Sequence, residues 1–272
     1  MKKWEIAVVQ DDFNIKNPLL LMESHVKDSI QKHPETRLIL FPESAASGYI
    51  FSQEFVKAKA EPADGPAFKF LSNLAREFKL YVGYGFIEKK NDQIFNSMNL
   101  ISANGELLAT YQKMHLTPLE KHLYTAGDGL VSVKTELGTL GLMICWDMAF
   151  PELGRLLEQQ GTDVILAPSA WESPHEDSYS RMAAARAMDN TVYLATCNYS
   201  GGEEEIQFFG KSAVYGPDGG MISRETTGGN SIITAEIDLA KRRYLKDHFY
   251  SMRSDERTDL YKIQWKGYFN GY

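Results

Sequence analysis

Two stretches of this 272-residue chain, residues 38–41 (Leu-Ile-Leu-Phe) and 164–167 (Val-Ile-Leu-Ala), are apolar at every position. A strand with one wet face alternates polar and apolar residues; a strand with neither face wet does not. Both stretches must therefore be covered on two sides. The surrounding sequence supplies the covers. Asn17 and Pro18 open a helix whose Leu19, Met22, Val26 and Ile30 fall on one face. Pro66 opens a second, with Ala67, Leu71, Leu74, Ala75 and Phe78 at helical spacing. Residues 153–160 and 178–190 read as further helices. Strands are expected at 6–9, 37–41, 81–87, 97–102, 107–111, 140–144, 164–167, 192–197, 212–215 and 231–237. Asn104-Gly105 makes a hairpin turn and Pro217-Asp218-Gly219-Gly220 a tight one. Helices alternating with strands and hairpins give an α/β protein with mixed sheets. One domain over residues 1–272 is expected, since no repeat or linker divides the chain. Residues 250–272 form an aromatic, irregular tail suited to packing on a partner subunit.

Charge and cysteine content exclude several classes. The formal net charge is -7, which disfavours nucleic acid and anionic membrane as partners. No apolar run approaches the roughly 20 residues that span a bilayer. The amino-terminal apolar stretch is short and broken by Asp11 and Asp12, so it reads as a strand and not a signal peptide. Two cysteines give no disulfide framework, and a cytoplasmic location is expected.

One cysteine stands apart. Cys145 follows the apolar run 140–144, and Pro151 reads as the first residue of a helix. The thiol therefore sits on a strand-to-helix turn, where following backbone N–H groups aim at whatever binds it. Cys197, inside an apolar strand, reads as an inert small hydrophobe. Polar residues fall where a strand-end site needs them. Glu43 directly follows a buried strand, Lys113 ends another, and Glu120 lies seven residues later. The three residue types fit together chemically. A thiol of pKa about 8.5 is mostly protonated at neutral pH. A carboxylate can take its proton, and an ammonium can stabilise the thiolate and a later oxyanion. Burial raises a carboxylate pKa while a neighbouring lysine lowers it; which wins at Glu43 is open at this level.

The chain resembles the carbon–nitrogen hydrolase (nitrilase) superfamily. Three motifs carry the likeness: Phe41-Pro42-Glu43 with Gly48-Tyr49, Tyr111-Gln112-Lys113-Met114-His115-Leu116, and Ile144-Cys145-Trp146-Asp147 with Phe150-Pro151-Glu152. Ala185-Arg186-Ala187-Met188-Asp189-Asn190 and Gly210-Lys211-Ser212 are also similar. The resemblance implies a four-layer α-β-β-α sandwich, a Glu43-Lys113-Cys145 triad, Glu120 as an additional glutamate near the thiol, and a homodimer or higher homo-oligomer. The hypothesis it supports is acyl transfer through a thioester, with the Trp146 N–H and Lys113 holding the oxyanion and no metal or organic cofactor. Tyr49 and Trp171 are candidate pocket residues, with core packing as the alternative.

Asp147 after the Cys-Trp pair resembles the amidase and N-carbamoyl amidase branches more than true nitrilases, so a small linear amide or carbamoyl compound is the expected substrate. An ω-amidase of dicarboxylic acid monoamides is the near alternative. It is weakened because Met148 stands where a substrate-clamping arginine is often found. A nitrilase, and a non-catalytic scaffold of the same fold, are further alternatives. A zinc hydrolase is disfavoured, because the six histidines are scattered and no H-E-x-x-H or C-x-x-C occurs. Residues 201–205 (Gly-Gly-Glu-Glu-Glu) read as a solvated loop whose carboxylates would repel phosphate.

Overall fold

The computed structural model describes residues 3–203, 206–224, 229–250 and 252–266. From the amino end the chain runs β1 (Lys3–Gln10), α1 (Pro18–Lys32), β2 (Thr36–Leu40), α2 (Gln53–Lys59), α3 (Pro66–Phe78), β3 (Tyr81–Lys90), β4 (Gln93–Ile101) and β5 (Leu107–Gln112). It continues through β6 (Ser132–Thr135), β7 (Gly138–Leu142), α4 (Pro151–Gln159), β8 (Val164–Pro168), α5 (Glu176–Met188), β9 (Tyr193–Cys197) and β10 (Ser200–Glu203). The last elements are β11 (Ile206–Phe209), β12 (Ala213–Tyr215), β13 (Met221–Arg224), β14 (Ser231–Asp238) and α6 (Leu239–His248).

Two six-stranded sheets form, in the orders β14-β1-β2-β3-β4-β5 and β13-β12-β9-β8-β7-β6. In each sheet three central strands are parallel, β1-β2-β3 and β7-β8-β9, and the flanking pairs are antiparallel. Side chains on a strand alternate between faces, and here successive residues enter different cores. Ile6, Val8, Leu38 and Leu40 point between the sheets and meet Leu140, Leu142 and Ile165 in one cluster. Ala7, Val9, Ile39 and Phe41 point outward and pack with Met22 and Val26 of α1 and Leu71 and Leu74 of α3. Leu153 and Leu157 of α4 and Tyr179 and Ala183 of α5 cover the second sheet. The layers are thus α-β-β-α, and the apolar strands are covered on both faces as their composition demands. Cys197 is fully buried, and its thiol donates to the carbonyls of Val9 (2.9 Å) and Leu40 (3.1 Å) in the opposite sheet. It is a structural cross-brace.

The helix expected to open at Pro151 does so, as α4, and a 3₁₀ turn, Cys145–Ala149, precedes it. Asp147 sets this, since its N–H donates to Ile144 O at 3.0 Å and its carboxylate accepts from Ile144 N–H at 2.9 Å. Gly201 and Gly202 are not loop but part of β10, paired with β11; residues 204–205 lie outside the described residues. Helices α2 and α6 have no counterpart in the sequence reading.

Over its described part the tail lies along α4 of its own chain. Arg253 pairs with Glu158, and Ile263 and Trp265 rest against the main core. Residues 251 and 267–272 lie outside the described residues.

Candidate active site

The site lies where the carboxyl ends of β2 and β5 in one sheet meet the turn after β7 in the other. Glu43 stands three residues beyond β2 in a loop pressed onto β3. Gly85 permits that contact: a Cβ there would lie 2.1 Å from Ser44 N and 2.7 Å from Glu43 Cα. Lys113 directly follows β5; its N–H donates to Asn96 O and its carbonyl accepts from Gly127 N–H. Both Ser44 (φ 52°) and Cys145 (φ 52°) are left-handed without being glycine. Such strained residues cluster at functional sites, and these two flank one.

Glu43, Lys113 and Glu120 are each completely buried. The Lys113 ammonium donates to Glu43 Oε1 at 2.7 Å and to Glu120 Oε1 at 2.8 Å. Asn96 Nδ2 donates to the same two oxygens, at 2.6 and 2.9 Å. The Thr117 N–H fixes Glu120 through Oε2 at 2.8 Å. Glu43 Oε2 has no aligned hydrogen-bond partner among the described residues. The Cys145 thiol adjoins this carboxyl. Cys145 is 4% exposed. Its side chain is therefore sheltered, at the wall of a cavity. Ala170 lines the cavity beside the sulfur.

Burial and charge assign each group a state. Burial raises the Glu43 carboxyl; the Lys113 charge opposes this, the Glu120 charge adds to it, and the net shift is upward. Desolvation thus wins over the lysine. Burial also pushes Glu120 up, but the Lys113 ammonium and the donors Thr117 and Asn96 overcome it and hold that carboxyl low. Burial alone would lower Lys113, yet Cys145 once ionised, and then Glu43 and Glu120, hold it well above the ordinary lysine value. Burial, then the Glu43 charge, drives the Cys145 thiol well up, and Lys113 offsets only part. The resting site therefore holds an ammonium, an ionised Glu120, a neutral thiol, and beside it a carboxylate with unusual proton affinity.

A cavity of about 400 Å³ opens onto the sulfur. Tyr49, Phe51, Trp146 and Trp171 form its aromatic walls, and Thr117, Leu119, Ala170 and Met182 contribute further surface. Tyr49 and Trp171 are also buried, at 8% and 7% exposure, so wall and core packing coincide in them. Trp146 is the second residue of the 3₁₀ turn; N–H groups that open a helical turn have no acceptor inside it. Among the described residues, Glu172 and His175 are the cavity's titratable side chains besides Cys145 and Tyr49, and no lysine or arginine is in its lining. A second cavity of about 390 Å³, between α4 and the tail, shares no residue with it.

The structure brings together all seven residues singled out from the sequence. Asn96 and Ala170 are additional. Asn96 carries a signal only in retrospect: it sits mid-strand in β4, where a buried amide needs a polar partner.

The model of the family described as carbon-nitrogen hydrolase matches residues 5–247. A probable nitrilase of Schizosaccharomyces pombe is 36% identical, over 92% of this chain and 93% of its own length. The N-carbamoylputrescine amidase of Solanum lycopersicum is 30% identical, over 85% of each chain. The omega-amidase NIT3 of Saccharomyces cerevisiae is also 30% identical, over 87% of this chain and 88% of its own. A match of this extent, on a chain with this layering and these buried groups, establishes that the protein belongs to the carbon–nitrogen hydrolase family of the nitrilase superfamily and is a hydrolase of carbon–nitrogen bonds.

Proposed function

We propose that this protein is a cysteine-dependent amidase. It hydrolyses a small linear amide or N-carbamoyl compound through a thioester on Cys145 and releases ammonia. The observation that carries the reading is the buried Lys113 ammonium, held by two carboxylates beside a thiol that faces a cavity. Glu43 Oε2 takes the thiol proton as the sulfur attacks the carbonyl carbon. The C–S bond forms and the carbonyl pair moves onto oxygen. Lys113 and the Trp146 N–H receive that charge; one such donor is typically worth about 10²–10³ in rate. Glu43 returns the proton to nitrogen, the C–N bond breaks and ammonia leaves. Water, deprotonated by Glu43, then attacks the thioester, and the thiolate leaves and recovers the proton. Glu120, ionised and fixed by Thr117 and Asn96, orients the lysine and the bound substrate. Tyr49 and Trp171 form the walls against which the substrate lies.

The cavity supports an uncharged or amine-bearing tail over a carboxylate tail. Its charged side chain is Glu172, beside Trp171, and among the described residues no lysine or arginine lines its wall away from the buried Lys113. A dicarboxylic acid monoamide would meet Glu172 with like charge. An ammonia-release screen over small amides, N-carbamoyl amines, dicarboxylic acid monoamides and nitriles tests this. The first two classes should react fastest. Preference for monoamides would favour the ω-amidase reading, and turnover of nitriles alone would replace both.

The pH profile follows from Glu43. Only its ionised form accepts the proton, and its pKa lies above the ordinary 4.5. Activity should fall as pH drops through that raised value. Lys113 is held well above its ordinary 10.5, so its deprotonation should not limit the rate below that pH. A kcat/KM profile flat down to pH 4.5 would contradict the assignment of Glu43 as base.

A homodimer is part of this reading. Tyr244, Phe249, Leu260 and Tyr261, all more than half exposed, support it. A solution mass of one 30.7 kDa chain would count against it.

A further inference from the structure

Lys113 and Cys145 belong to different sheets, and nothing in either sheet's hydrogen-bond ladder fixes one against the other. Among the described residues β5 is an edge strand, paired with β4 alone. Lys113, just past its end, therefore needs another restraint to hold its place relative to the thiol. Asp147 supplies one. Its carboxylate is completely buried, accepts three hydrogen bonds and contacts the His115 ring as a fourth polar partner. Oδ2 takes the Ile144 N–H at 2.9 Å, from the residue before the nucleophile, and the Tyr111 hydroxyl at 2.7 Å. Oδ1 takes the His115 N–H at 3.0 Å and lies 2.7 Å from His115 Nδ1. Tyr111 and His115 stand two residues before and two residues after Lys113. One carboxylate thus grips the nucleophile's turn with one oxygen and the lysine segment with both. The His115 ring stacks on Phe150, at 3.6 Å between centroids and 12° between planes; Phe150 closes the same 3₁₀ turn. Burial, then the Asp147 charge, holds the Tyr111 hydroxyl protonated and so a donor.

We propose that Asp147, acting through Tyr111 and His115, is a positioning residue whose clip sets the distance between the Lys113 ammonium and the Cys145 sulfur. The capping of the turn by Asp147 would stabilise the fold in any case. The added claim is that the same carboxylate sets the reactivity of the thiol. It rests on the amidase reading above for its kinetic arm alone.

The test uses Tyr111→Phe, His115→Ala and the pair combined, in the full chain. Three quantities are read: kcat and KM on the best amide from the screen, the rate at which iodoacetamide alkylates Cys145, and the melting temperature. Loss of a hydrogen bond to a charged group should lower kcat about 10-fold in each single variant, with KM within about twofold. Alkylation should slow in parallel, because a displaced lysine no longer favours the thiolate. Cys197, buried and bonded in the core, is the internal reference. A lower melting temperature with kcat and the alkylation rate both within twofold of the native protein would overturn the proposal. Should Tyr111→Phe fold poorly, His115→Ala decides, since His115 lies at the partly exposed end of the clip. If the native protein turns over no amide, the amidase reading fails, and the alkylation rates still decide the clip.

Discussion

Replacing Cys145 with alanine is expected to abolish turnover while the protein stays folded. The attack has no substitute nucleophile. Cys197 is fully buried, in the cross-brace between the sheets, and donates to two carbonyls there. Losses of about 10⁴-fold or more are usual when an attacking atom is removed from a unit that works together. The stability cost should be small, because the change removes one sulfur at the edge of a cavity. A second comparison isolates the strain at this residue. Cys145 holds φ at 52°, where a Cβ costs about 1–2 kcal/mol and glycine costs nothing. Cys145→Gly should therefore melt above Cys145→Ala, with both inactive. Substantial amide turnover by the alanine variant would remove the sulfur from the mechanism.

Lys113→Met has the second large effect, and it strikes stability and activity together. The ammonium is completely buried and neutralises two carboxylates that Asn96 otherwise holds together. Removing one partner of a buried ion pair typically costs about 3–5 kcal/mol, a large share of the about 5–15 kcal/mol available to a folded domain. The variant should melt far below the native protein and show no turnover. Adding Glu120→Gln should recover much of the stability and none of the activity, since one carboxylate charge is removed and the other, Glu43, already has its pKa raised by burial and can take up a proton. Thermal melts and ammonia release on the single and double variants read both effects. A stable, active Lys113→Met protein would refute the electrostatic picture of the site.

The sequence was most legible where side-chain chemistry and strand ends coincide. Continuous apolar runs announced β2 and β8, and the polar residues just past strand ends announced Glu43 and Lys113. The contest over Glu43 was illegible, because desolvation depends on what surrounds a carboxylate in three dimensions; once Glu43 is fully buried, desolvation wins. Asn96 was hidden for a related reason: mid-strand in β4, its partners lie 53 and 24 residues away. Pro151 marks the start of α4, as the sequence suggests. What it does not reveal is that Asp147 uses its carboxylate and N–H to tighten residues 145–149 into 3₁₀ geometry first. α6 has little apolar periodicity to read, and its one buried residue is Arg242, held by Asp163 and by the carbonyls of Thr162 and Thr191. Tertiary contacts make that helix.

Acid-quenched mass spectrometry during turnover tests the acyl-enzyme most directly. The account predicts a covalent adduct on the peptide containing Cys145, with the mass of the amide less one ammonia, absent from Cys145→Ala and from every peptide containing Cys197. Steady ammonia release with no such adduct, from a Glu120→Gln variant in which breakdown of the intermediate is slowed as well as from the native protein, would contradict it.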